Sequence, residues 1–169
     1  SAASDVYKRQ DKYSIIYLYT VAFGRASYLV SRSRGKKSTV SKALFIPLSV
    51  LEMEVEHLNK RDLHRIKETR ICFPLNDVCC DPVKNVLALF LSKVLFRVVK
   101  ETESDPRLFD YLYESIHLLE YADKGIANFH MVFLLGLLHH LGIFPNMESH
   151  RVGYYFDMLN GVFTDHIPM

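Results

Sequence analysis

"LEMEVEHLNKRDLHRIKETRI", residues 51–71, decides the fold of the first half of the chain. Leu51, Met53 and Val55 alternate with Glu52, Glu54 and Glu56. That is a period of two, the mark of a strand with one buried face. "LNKRD" (58–62) supplies a hairpin loop and "LHRIKETRI" (63–71) the partner strand, with Glu expected opposite Arg and Lys.

Upstream, "YSIIYLYT" (13–20) is β-branched and aromatic, Gly24 supplies a turn, and "ASYLVS" (26–31) returns. Downstream, the period changes near residue 74. Asp81-Pro82 is an N-cap with proline at the first helical position, and "VLALFLSKVLFRVV" follows at helical spacing. Asp105-Pro106 repeats the signal for "RLFDYLYESIHLLEYA", and a third helix is expected over 127–141, stopped before Pro145. "GYYFDMLNGVFT" (153–164) reads as a small hairpin turning at Asn160-Gly161. The expected fold is therefore α+β: a small β-barrel over 11–73, then an α-helical domain over 74–169 with a small terminal hairpin. Short strands around a basic loop suit an OB-fold, and composition alone leaves an SH3-like barrel equally open.

Charge divides along the same line. Residues 11–70 carry twelve Lys and Arg against six Asp and Glu; residues 71–169 carry seven against twelve. A polyanion would seek the first half. Its densest stretch is "SRSRGKKSTVSK" (31–42), with Arg32, Arg34, Lys36, Lys37, Lys42 and no acid. "GKKST" is not a phosphate-binding loop. Val30 stands where the first glycine belongs, and Lys37 stands where Ser or Thr should follow Lys36. Arg32, Arg34 and Lys36 are spaced by two, so an extended segment projects them to one side, as a comb along a phosphodiester backbone. Arg25 begins the same strand, Tyr28 offers a ring for stacking or for the core, and Lys60, Arg61, Arg65 and Lys67 form a second basic group. From these residues alone, a solvated loop and a backbone contact remain open.

Other chemistry finds little support. Cys72, Cys79 and Cys80 form no C-x₂-C pair and no disulfide framework, which fits a reducing cytoplasm and no zinc or other cofactor. His139 and His140 diverge by about 100° on a helix, so they do not chelate one metal together. No arrangement of nucleophile and base has recognisable context, and no enzyme is expected. "IANFHMVFLLGLLHHLGIF" (126–144) has the length of a membrane span, but its asparagine, histidines and glycines favour a buried helix of a soluble domain. On the second helix Lys93, Arg97 and Lys100 make a basic stripe with Phe90 one turn before, either a solvated face or a partner site.

Thr20, Gly24, "SYLVSRSRGKKS" and "LFIPLSVLEMEV", in that order, resemble the N-terminal OB-fold region of the bacterial DNA repair protein RecO family, and the likeness continues to "GYYFDMLNGVF", covering about residues 11–163. The resemblance implies a non-enzymatic, cytoplasmic, nucleoid-associated recombination mediator. It implies binding to single- and double-stranded DNA, annealing of complementary strands, and help to RecR in loading RecA. It further implies that the helical domain takes the acidic, Phe-ended tail of single-stranded-DNA-binding protein, for which Phe90, Lys93, Arg97 and Lys100 are the best local match. It also favours the backbone contact over the solvated loop. A general OB-fold nucleic-acid-binding protein without RecR or RecA is the alternative. Two features depart from the family. The region 146–164 lacks the four-cysteine zinc site of many members. Residues 1–10, "SAASDVYKRQ", do not resemble the family's start and read as a non-native, adaptor-like leader, so that the native first strand is expected to be missing and the barrel open along one seam. The end at "DHIPM" is expected to fall short of the family's usual length.

Overall fold

The computed structural model describes residues 2–9, 13–31, 44–56, 63–100, 104–143, 151–157 and 162–167. The chain divides into two compact units, Ser1–His130 and Met131–Met169.

The first unit opens with β1 (Ala2–Arg9), β2 (Tyr13–Thr20), β3 (Gly24–Ser31), β4 (Leu51–Glu56) and β5 (Leu63–Ile71). They form one sheet in the order β1-β2-β3-β5-β4, with β3 and β5 parallel and every other pair antiparallel. This is the strand order of an OB-fold, with β1 and β4 at its edges. The residues expected to be a non-native leader form β1, paired antiparallel with β2.

The inner face is built by alternation. Ile16, Leu18, Tyr28, Val30, Phe45 and Leu51 are buried together, and Met53, Val55 and Ile66 pack against them. Tyr28 is fully buried, which places it in the core rather than under a nucleic-acid base. Burial pushes its phenol above the ordinary tyrosine value. Strict alternation on β5 would turn Lys67 inward with Thr69. A bulge prevents this: Glu54 pairs with Glu68 but Val55 pairs with Ile66, so Lys67 is the extra residue and stays exposed. Before β4, Ile46 to Ser49 make a turn closed by Ser49 N–H to Ile46 C=O at 3.1 Å. Pro47 takes its first corner, and Leu48 takes the second at φ 63, where glycine is usual. Leu48 is buried, and that burial offsets the strain.

Three helices complete the unit: α1 (Asn76–Cys80), α2 (Pro82–Val98) and α3 (Pro106–Tyr121). Asp81 caps α2, accepting from Val83 N and Lys84 N, and Asp105 caps α3, accepting from Arg107 N and Leu108 N. The change of period at residue 74 is thus a change of element inside this unit. The short α1 escapes a sequence reading. Its own N-cap position, Leu75, offers no side-chain bond. Glu120 on α3 does the capping, accepting from Asp77 N at 2.9 Å and Val78 N at 3.0 Å. Lys84, also buried, donates from Nζ to Glu120 C=O at 2.6 Å and lies 3.4 Å from Asp77 Oδ2.

A 3-10 turn (Ile126–Asn128) leads into α4 (Phe129–His140), most of which lies in the second unit. Only Phe133 and Leu137 of α4 are buried, and Met131, Val132 and Leu135 are exposed. The helix expected to be buried is therefore apolar on its exposed face too. It ends through Gly142 at φ 69, earlier than Pro145, because a left-handed residue lets Ile143 N–H turn back to Leu138 C=O. β6 (Tyr155–Asp157) and β7 (Val162–Thr164) pair antiparallel as the terminal hairpin. Among the described residues no helix is long and apolar enough to cross a membrane.

Candidate nucleic-acid interface

The outer face of β2 and β3 presents Ile15, Tyr17 and Tyr19 beside Arg25, Ser27 and Leu29, with Tyr17 opposite Ser27 and Tyr19 opposite Arg25. Aromatic rings beside an arginine are the composition of a single-strand stacking platform. Here the chain's own helices occupy that end of the face. The Phe96 ring meets Tyr17 edge-on at 5.2 Å, and Phe109 stacks on Tyr19 at 6.5 Å. Tyr19 Oη donates to Asp105 C=O at 3.3 Å, and Ser104 Oγ donates to Val21 C=O.

Arg25 belongs to this joint. Its Nη1 donates to Phe96 C=O at 2.9 Å and Val99 C=O at 3.1 Å, and its guanidinium lies 4.5 Å from the Phe96 ring centroid and 5.3 Å from that of Tyr17. Arg25, expected at a DNA backbone, closes the C-terminal end of α2. The reason is electrostatic: the last carbonyls of a helix lack internal partners and carry partial negative charge.

The opposite end of the β2–β3 ladder is where Tyr13 pairs with Ser31, and the chain leaves β3 there into "RSRGKKSTVSK". Arg32, Arg34, Lys36, Lys37 and Lys42 lie outside the described residues, as do Lys60 and Arg61. Arg65 and Lys67 are described and exposed on β5. Arg65 stands opposite Glu56, and Lys67 Nζ lies 3.9 Å from Glu54. Glu52 faces Arg70, as the hairpin reading expects, but Glu54 faces Glu68, and Arg70 turns to Glu68 at 2.8 Å. The like-charged pair follows from the bulge, which shifts the register by one. The exposed surface of β4 and β5 thus carries Glu52, Glu54, Glu56 and Glu68 against Arg65, Lys67 and Arg70. The second basic group, where described, sits among carboxylates that repel a polyanion.

On α2, Phe90, Lys93 and Arg97 are exposed on one face. Lys100, expected on the same stripe, lies beyond the helix. The helix ends at Val98, and Val99 is extended at ψ 95, so Lys100 falls outside the helical stripe. The stripe instead continues toward the N-terminus through the exposed Val83, Val86 and Leu89. Those apolar residues were legible as helical positions but not as exposed ones. Among the described residues no group of three or more His, Cys, Asp or Glu could hold a metal ion, and the three cysteines are exposed free thiols.

Comparison with known proteins places this architecture. Residues 80–153 match the family described as recombination protein O C terminal. The DNA repair protein RecO of Bacteroides fragilis is 42% identical over 163 residues, covering 96% of this chain and 67% of the relative. That of Azobacteroides pseudotrichonymphae is 40% identical over 158 residues, covering 94% and 66%, and that of Flavobacterium johnsoniae is 34% identical over 158. The chain spans about two thirds of the length of these relatives. With a barrel of OB strand order ahead of capped helices, and this identity along nearly its whole length, the chain belongs to the DNA repair protein RecO family.

Proposed function

We propose that the chain is a non-catalytic mediator of DNA repair and recombination that holds DNA by its phosphate backbone at the Ser31 end of the barrel. Arg32, Arg34, Lys36, Lys37 and Lys42 carry the contact. Single and double strands both bind, because phosphate contacts position a strand without reading or stacking its bases. Screening of strand repulsion by these cations anneals complementary strands, and RecR joins the complex to load RecA on gaps in the bacterial cytoplasm, at the nucleoid. The acidic, Phe-ended tail of single-stranded-DNA-binding protein docks on α2, its ring against Phe90 and its carboxylates on Lys93 and Arg97. The observation that carries the DNA reading is the state of the barrel's outer face. One end of the β2–β3 surface is filled by Phe96 and Phe109, and the β4–β5 surface carries more acids than bases, which leaves the strongly basic stretch after Ser31 as the route for a polyanion.

The test is salt dependence. Four or five cations on a single strand give a log–log slope of about −3 for affinity against salt. Replacing Arg32, Arg34, Lys36 and Lys37 with Ala removes most of that slope and hardly moves thermal stability. A quadruple variant that keeps both affinity and slope rejects the reading. For the tail, Lys93→Glu with Arg97→Glu weakens an acidic peptide and leaves DNA affinity unchanged; unchanged peptide affinity returns the stripe to a solvated face.

A further inference from the structure

We infer that Arg25, a barrel residue, is a positioning residue for the α2 stripe, holding Arg97 in place through the last turn of the helix. The inference rests on the acidic-peptide reading of that stripe. Arg97 lies between Phe96 and Val99, and the carbonyls of both those residues accept from Arg25. Leu95 C=O is taken by Val99 N–H, and past it Phe96 C=O and Val99 C=O are held by Arg25. The guanidinium also stacks on Phe96, and β3, which carries Arg25, is paired on both sides by β2 and β5. The last turn is therefore clamped to the barrel rather than left to fray, as unpartnered helix ends do. Phe90 and Arg97 are seven residues apart, about 10 Å along a helix axis. That is about the reach of three residues of extended peptide. A ligand gripped at both points, by its aromatic end and by a carboxylate, needs that spacing constant. A frayed turn would let Arg97 wander and would weaken the grip without removing either anchor.

The experiment is a double-mutant cycle on the full 169-residue chain, read by calorimetry with an acidic peptide ending in Phe. Arg97→Ala weakens binding about fivefold, the upper range for an exposed ion pair. Arg25→Ala weakens it about as much, although Arg25 does not touch the peptide. The double variant is no weaker than either single within about twofold, because both remove one anchor. Lys93→Ala, by contrast, adds to Arg25→Ala. Arg25→Lys does not rescue, since an ammonium lacks the planar guanidinium that lies on the Phe96 ring while its Nη1 donates to both carbonyls. Amide exchange over residues 96–100 quickens in both Arg25 variants, while single-strand DNA affinity and its salt slope stay unchanged, which also reports that the barrel is folded. Wild-type binding with Arg25→Ala at full affinity, additivity of Arg25→Ala with Arg97→Ala, rescue by Lys, or unchanged exchange overturns the inference. A fall of the DNA salt slope by about one would overturn it too, placing Arg25 on the backbone. A wild-type chain that ignores the peptide rejects the stripe itself and the inference with it.

Discussion

Glu120→Ala is expected to be among the most damaging single changes outside the apolar core. The side chain is buried, and its two carboxylate oxygens accept the N–H groups of Asp77 and Val78, which open α1. Both are charge-assisted bonds, and removing the acceptor leaves two helix N-terminal donors without a partner. Asp77 is exposed, so water reaches its N–H at little cost. Val78 is buried, and its orphaned donor bears the full penalty, about 1–3 kcal/mol. The buried Lys84 keeps its own partners in this variant, Glu120 C=O and the exposed Asp77 at 3.4 Å. The loss is therefore about 2–3 kcal/mol, a lowering of the melting temperature by roughly 4–12 °C for a chain of this size. Glu120→Gln, which keeps one acceptor, falls between, at about 1–2 kcal/mol. Thermal and urea unfolding followed by circular dichroism measure all three proteins. A Glu120→Ala midpoint within 2 °C of wild type refutes the reasoning.

Leu48→Gly relieves a strained φ but deletes a buried leucine, so it destabilises by about 2–4 kcal/mol net; urea denaturation that finds it neutral would show that strain outweighs burial there. Tyr28→Phe is expected to leave stability unchanged or raise it by up to about 1 kcal/mol, since its buried hydroxyl has no hydrogen-bond partner among the described residues. Because the folded pKa of Tyr28 is raised, its contribution is fully present below the unfolded value and is lost as pH climbs through the folded one. The wild type therefore loses stability above about pH 10 more steeply than Tyr28→Phe, and superimposable alkaline limbs would rule that out. Elemental analysis is expected to find no stoichiometric zinc; one zinc per chain, lost on mutating Cys72, Cys79 or Cys80, would contradict it.

Features that depend on near neighbours can be read from the chain alone. Asp81-Pro82 and Asp105-Pro106 announce α2 and α3 because a cap needs only the N–H groups two and three residues ahead. Leu51, Met53 and Val55 announce β4 because a strand's faces alternate along the chain itself. The charge split between the halves is likewise a property of composition. Features that depend on a partner far along the chain emerge on folding. The cap of α1 comes from Glu120, more than forty residues on, so "NDVCC" carries no start signal of its own. Lys67 faces solvent because a bulge opposite Glu54 spares Ile66 for the core, and no periodicity in β5 alone reveals it. Arg25 is indistinguishable in sequence from the cations of "SRSRGKKS". It became a helix-end donor because folding brought the carbonyls of Phe96 and Val99, more than seventy residues away, within 3.1 Å of its guanidinium. A charge in the sequence states what a side chain can bond; only the fold supplies what stands close enough to accept.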